Sequence, residues 1–265
     1  MFAFLIIGLS VLPNFIWLLF YLKQDPHPEP RPLLLLAFFL GIFSTVFALG
    51  AGVLLLRLFE FSGMEKQAVQ NSFWFMFLGV ALVEELFKFL MAYLFLRRNP
   101  VFDEPVDAVI YLVVIALGFA FVENIIYLVS VFNQYSGSFS QVVYFLTLRF
   151  VGANFLHSLA SGLVGYFWAI GIIKHRPKKF IFLGIGLASL IHALFNFLVI
   201  KFGMPFYAGA VFLLFILALF LLRDAETLRQ LGRPATLVVY SPDYLAKESR
   251  SRDQDQNQNK NETML

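Results

Sequence analysis

The strongest constraint on this chain is a succession of apolar stretches, each about 20 residues long, the length a helix needs to cross the hydrocarbon of a bilayer. They fall at roughly 2–22, 33–56, 72–96, 106–132, 143–173, 180–200 and 204–222. With 60% hydrophobic and only 14% charged residues, the chain carries more apolar surface than a soluble domain can hide, whereas lipid solvates it. The expected fold is all-α, a polytopic transmembrane helical bundle of about seven spans. The first stretch has no basic leading segment and no A-x-A-like cleavage site, so it reads as a retained helix rather than a signal peptide. The fifth is long for one span and is expected to tilt or to project from the bilayer. The sixth and seventh are separated only by 201–204, with Pro205 expected to break the helix.

Orientation follows from Lys and Arg in the short loops. One set of loops carries Lys23, Arg31, Arg97, Arg98, Lys174, Arg176, Lys178 and Lys179, and the C-terminal flank adds Arg223, Arg229 and Arg233. The other set carries Arg57, Lys66 and Lys201, and its loop at 133–141 has no basic residue. The bias predicts an N-terminus outside and a C-terminus in the cytoplasm, in an integral protein of the plasma (inner) membrane. Residues 223–265 read as a cytoplasmic polar tail, low in complexity and largely disordered from about 247. A formal net charge of +3, with the basic residues flanking apolar runs, gives no reason to expect nucleic acid as a partner. The chain contains no cysteine, which excludes disulfides, thiolate chemistry and Cys-ligated metals.

Within this apolar frame a few polar residues stand out. Glu84 and Glu85 are adjacent in the middle of the third stretch, with Lys88 one turn on. Each such charge costs roughly 2.5–3.5 kcal/mol near the bilayer centre, so these residues are expected to face the bundle interior. Lys88 follows the two acids at i+4 and i+3, the favoured order for an ion pair. Later stretches supply groups to answer them. Phe119, Glu123 and Tyr127 form one helical stripe, Asn154, His157, Ser158 and Ser161 a second, and Ser189, His192 and Asn196 a third.

A rise of 1.5 Å per residue puts Glu84 about 18 Å, Glu123 about 26 Å, His157 about 21 Å and His192 about 18 Å from the ends of their helices, at similar depth. Taken singly, each residue has a plainer reading. A lone intramembrane His or Asn is often glue between helices. Ser158, Ser161 and Gly162 read as close-packing residues, the Glu84/Lys88 pair as a structural ion pair, and Arg149 and Asp107 as helix-end residues that reach the interface. Convergence in depth of three acids and two histidines is what packing does not explain.

At these residues the chain resembles the PrsW family of intramembrane proteases, within the larger group that includes the CAAX prenyl endopeptidases. The matching motifs are Glu84-Glu85-Leu86-Phe87-Lys88, Phe119-x-x-x-Glu123, the isolated His157, and His192-x-x-x-Asn196. Two flanking stretches look similar as well: Asp25 to Pro30, ending Pro28-Glu29-Pro30, and Glu104-Pro105-Val106-Asp107. The likeness runs from about 23 to 200, within a protease domain taken as 1–222. The CAAX enzymes carry His where this chain has Glu123.

The resemblance implies hydrolysis of peptide bonds in membrane-embedded protein substrates, for instance a single-span anti-sigma factor. The residue types suit that chemistry. Either Glu84 or Glu85 serves as the base for water, and two adjacent carboxylates titrate as a pair. Lys88 holds the dyad in its working charge state. His192 and Asn196, on one helix face, serve as oxyanion donors. Glu123 and His157 orient the water or protonate the leaving amine. No cofactor is expected first. Zinc is the second choice, on Glu84, His157 and His192, because two His and a Glu are a catalytic ligand set, although the chain has no His-Glu-x-x-His motif. The competing non-enzymatic reading is an ion- or proton-coupled transporter that uses the buried Glu/His cluster as a relay, and the next is a scaffold with a polar core.

Overall fold

A computed structural model gives the architecture and describes residues 2–23 and 29–231. The segment 24–28, and with it Pro28 and the start of the Asp25–Pro30 stretch, lies outside the described residues, as does the expected tail disorder from 247. The described elements are helical throughout: α1 (Phe2–Leu22), α2 (Arg31–Phe61), α3 (Lys66–Gln70), α4 (Phe73–Phe75), a π-helical turn (Met76–Ala81), α5 (Leu82–Phe95), α6 (Asp107–Gln134), α7 (Phe139–Val151), α8 (Ala153–Ile173), α9 (Pro177–Phe202) and α10 (Met204–Leu231).

Five helical segments among the described residues are long and apolar enough to cross a membrane: Arg31–Phe61, Asp107–Gln134, Phe139–Ile173, Pro177–Phe202 and Met204–Leu221. The expected count of about seven is therefore loose, while the all-α class holds. The first stretch is helical and apolar but shorter over its described side chains, Leu5–Tyr21. The stretch 72–96 carries Glu84, Glu85 and Lys88 and is divided by the π turn.

Local sequence explains the boundaries. α2 and α9 open with a proline in the first turn, where no intrahelical N–H is lost. α9 ends at Gly203, whose φ of 69° suits glycine. Pro205 then sits in the first turn of α10, so the break comes from Gly203 and not from Pro205 as expected. The long fifth stretch is bent at Gly152 (φ −101°, ψ −80°), which separates α7 from α8. A Cβ at that position would lie 2.6 Å from the Tyr207 hydroxyl of α10, so a side chain there would have to displace that ring.

α6 is the central helix, buried on every side from Tyr111 to Ala120, as an all-round apolar helix must be. α2 crosses it through two glycines. A Cβ on Gly41 would lie 2.0 Å from the Ile115 carbonyl oxygen, and one on Gly118 would lie 2.0 Å from that of Phe38. Without lipid-exclusion driving helices together, such small residues let dispersion and backbone contact hold the crossing. α8 packs between α6 and α9, and α9 also meets the π turn that precedes Glu84. These contacts bring α5, α6, α8 and α9 around one interior point just beyond the glycine crossing.

Candidate active site

Four helices deliver one polar cluster. α5 brings Glu84, Glu85 and Lys88, α6 brings Glu123, α8 brings His157, and α9 brings His192. Lys88 Nζ donates to Glu85 Oε1 at 2.8 Å and lies 2.9 Å from His157 Nδ1. Its ammonium also sits 4.2 Å from the ring centroid of Phe119, a favourable cation–π position. His157 Nε2 lies 2.8 Å from Glu123 Oε2. His192 Nδ1 lies 3.1 Å from Glu85 Oε1, and Ser161 Oγ donates to Glu85 Oε2 at 2.8 Å. The two imidazoles meet edge to face, with centroids 4.9 Å apart.

The network assigns the tautomers. A carboxylate accepts and does not donate, so His192 carries its proton on Nδ1 toward Glu85, and His157 carries its proton on Nε2 toward Glu123. Lys88, which only donates, takes the lone pair of His157 Nδ1. That leaves the lone pair of His192 Nε2 facing inward, 3.7 Å from Glu84 Oε2. Glu85 accepts from three donors. Glu84 makes no hydrogen bond among the described residues, and its Oε2 is buried without a partner. Two electron-pair donors, bare and converging, are an arrangement that a water, a proton or a cation would satisfy.

The same geometry bears on metal binding. Ligand atoms of Glu84, His157 and His192 all lie within 4.8 Å of one another. Each histidine is backed by a carboxylate on its far nitrogen, Glu85 for His192 and Glu123 for His157, the support that metal-bound imidazoles use. With the orphaned Glu84 oxygen, this donor set fits zinc. Lys88 is the competing occupant, because its ammonium already uses the inward lone pair of His157.

The structure thus gathers Glu84, Glu85, Lys88, Glu123, His157 and His192, and it gives the two adjacent acids different surroundings. Asn196, one turn beyond His192 on α9, is half-buried and has no side-chain partner among the described residues, so it stands beside the network rather than in it. Ser161 is more than a packing residue, since it holds Glu85. Arg149 does not reach for the interface but turns inward to Glu123, at 3.2 Å. Asn124 and Asn154 join it there, with Asn14 of α1 beyond them. Asn154 was visible in its polar stripe and Asn124 as the neighbour of Glu123. For Asn14 the only signal was an amide inside an apolar run.

The flanking acids lie elsewhere. Tyr111 donates to the Glu29 carboxylate, and Asp107 Oδ2 accepts the backbone N–H groups of Asp103 (2.9 Å) and Glu104 (2.8 Å). This corner, about 24 Å from Glu123 along α6, fastens the start of α2 and the α5–α6 loop to the central helix.

Comparison with known proteins points the same way. A family model described as PrsW family intramembrane metalloprotease matches residues 29–222. The match extends past the 200 at which the motifs end and takes in most of the apolar part of α10. Protease PrsW of Geobacillus kaustophilus is 27% identical over 221 residues, covering 81% of this chain and 88% of that protein. Protease PrsW of Bacillus subtilis is 28% identical over 219 residues, covering 80% and 91%, and that of Oceanobacillus iheyensis is 27% identical over 230 residues, covering 83% and 96%. No solved structure matches the chain.

Proposed function

This chain belongs to the PrsW protease family and is an integral membrane protein of helical spans, and on that footing we propose that it hydrolyses peptide bonds of membrane-embedded substrates with a water activated by Glu84. The observation that carries this reading is the convergence of the unpartnered Glu84 Oε2 with the bare His192 Nε2, 3.7 Å apart and shielded from lipid. A water between them loses its proton to Glu84 and adds its oxygen to the scissile carbonyl carbon. The C–N bond then breaks, and the proton held by Glu84 passes to the departing amine. Glu85 does not act as the base, because Lys88, His192 and Ser161 occupy it. Its work is to hold Lys88 and to fix the proton of His192 on Nδ1. Since that proton points away from the centre, His192 is an acceptor there, and the oxyanion donor on α9 is Asn196.

A second reading is favoured by the carboxylate behind each histidine. Glu84, His157 and His192 would hold a zinc ion, taking from Lys88 the lone pair of His157, and the family description, a metalloprotease, agrees. Bound zinc would supply Lewis acidity at the scissile carbonyl. Family membership does not favour the transporter alternative.

Substrates of this site are single-span membrane proteins, with an anti-sigma factor as one candidate. Loop charges favour an N-terminus outside and a C-terminus in the cytoplasm, in the plasma membrane. The deciding experiment is cleavage of a single-span membrane protein by the purified protein, wild type against Glu84→Gln. Loss of cleavage with an intact fold supports the proposal, and cleavage by Glu84→Gln at the wild-type rate overturns it.

A further inference from the structure

α7 carries Arg149 just before the Gly152 bend, with its side chain only 15% exposed. A guanidinium in an apolar bundle is expensive unless it is fully answered, and here a single turn of α6 answers it. Nη2 donates to Glu123 Oε2 at 3.2 Å, Nε donates to Asn124 Oδ1, and the guanidinium carbon lies 4.9 Å from the ring centroid of Tyr127. Asn124 is itself held. Its Nδ2 donates to Asn154 Oδ1 at 3.1 Å, Asn154 Nδ2 donates to Asn14 Oδ1 at 2.7 Å, and Asn14 Nδ2 donates to the Ser10 carbonyl at 2.7 Å. This chain of amides runs in one direction from α6 through α8 to α1. A rigid, planar fork is what lets one cation engage both Glu123 and Asn124, which an ammonium does less well.

The oxygen that Arg149 holds is also the one that His157 Nε2 meets at 2.8 Å. Arg149 therefore sets the direction of Glu123, and Glu123 holds the Nε2–H side of the His157 ring, whose tautomer Lys88 already requires from the Nδ1 side. We propose that Arg149 is a positioning residue of the centre, clamping Glu123 so that its Oε2 keeps the hydrogen bond from His157 Nε2–H and holds that ring with its Nδ1 lone pair turned inward. Arg149 acts through Glu123 and touches no reacting atom. As a contribution to catalysis this rests on the proteolytic reading above, whereas as a statement about the Glu123–His157 hydrogen bond it stands on the geometry alone.

The test uses the full-length protein purified in detergent, as wild type, Arg149→Ala and Arg149→Lys. Because the chain has four histidines, ¹⁵N-histidine NMR resolves the ring nitrogens, with His157→Gln identifying the signals of His157. Wild type and variants are expected to show His157 as Nε2–H, held by Lys88 at Nδ1, but in Arg149→Ala the Nε2–H proton should move upfield as its hydrogen bond to Glu123 weakens, with the His192 signals unmoved. Cleavage of a single-span substrate by Arg149→Ala should lose about 10²-fold in kcat with KM unchanged, the size expected of a small misplacement at a reacting centre. Arg149→Lys keeps a charge but not the fork, and is expected to recover only part of that loss. Glu123→Gln combined with Arg149→Ala should cost no more than Glu123→Gln alone, because both act on one link.

The proposal is overturned if the His157 Nε2–H proton keeps its wild-type shift in the Arg149 variants, or if their kcat per folded molecule equals that of wild type. Where Arg149→Ala does not fold, Arg149→Lys carries both measurements. A wild-type protein that cleaves nothing would remove the proteolytic reading, and the NMR spectra would still decide the role of Arg149.

Discussion

Glu85 and Lys88, three residues apart on α5, form an ion pair at 2.8 Å in which neither side chain is exposed at all. Each would be a severe liability alone, and together with His192, Ser161 and His157 they satisfy one another. Breaking such a pair from one side leaves a buried charge unanswered, at a cost of about 3–5 kcal/mol. Lys88→Met should therefore lower the thermal midpoint sharply. The double variant Glu85→Gln/Lys88→Met should recover much of the loss, because neither charge remains. Thermal unfolding in detergent measures both, and equal midpoints for Lys88→Met and wild type would show that the pair does not hold the fold.

Glu84 presents the opposite case. It has no hydrogen bond to lose among the described residues, so Glu84→Gln should unfold at the wild-type temperature or slightly above while abolishing cleavage. Glu85→Gln should lose stability and cleavage together. Melting curves and cleavage rates on the same preparations separate the two glutamates, and full activity in both variants would remove the carboxylates from the chemistry.

Asn196 has no side-chain partner among the described residues, which makes it a clean test of a donor role. Asn196→Ala should leave the thermal midpoint unchanged and reduce kcat by about 10²–10³, the usual cost of one oxyanion donor. Asn196→Asp should be worse, since a carboxylate repels the developing negative charge. Unchanged kcat with lowered stability would assign Asn196 to packing.

With Glu84 as the sole activator of water, the purified protein should hold no stoichiometric transition metal and should keep its activity in strong chelators. Metal analysis by mass spectrometry and a chelation series check this. Zinc near one equivalent, lost together with activity and restored with it, would favour the zinc reading on Glu84, His157 and His192.

The proposed outward N-terminus would place the turn between α6 and α7 outside the cell. Ser140 is exposed in the first turn of α7, and the chain has no cysteine of its own. A cysteine at Ser140 should react with a membrane-impermeant thiol reagent in intact cells, and labelling only after lysis would reverse the orientation.

The α6–α8 region shows where sequence reading ends. That 106–132 is a span follows from composition alone, because the preference of an apolar stretch for lipid depends on its own residues and not on its neighbours. The similar depth of Glu84, Glu123, His157 and His192 follows equally from helical rise, a local property of the chain. Depth, however, says nothing of rotation about the helix axis. Glu84 and Glu85 are alike in sequence but point about 100° apart, so one becomes the locked partner of Lys88 and His192 and the other the open carboxylate of the centre.

That difference arises from contacts between distant segments: the Gly41/Gly118 crossing that sets α2 against α6, the π turn that brings Glu84 to α9, and the Gly152 bend against Tyr207. Arg149 is the sharpest instance. From sequence alone it is a cation near a helix end, and its inward turn is decided by Glu123, Asn124 and Tyr127, all on another helix. The chain's own residues determined that there would be membrane helices and which polar groups would share a depth, because both depend on short-range chemistry. Which nitrogen faces which oxygen was decided only by packing, because hydrogen bonds require angles and distances that no single helix contains.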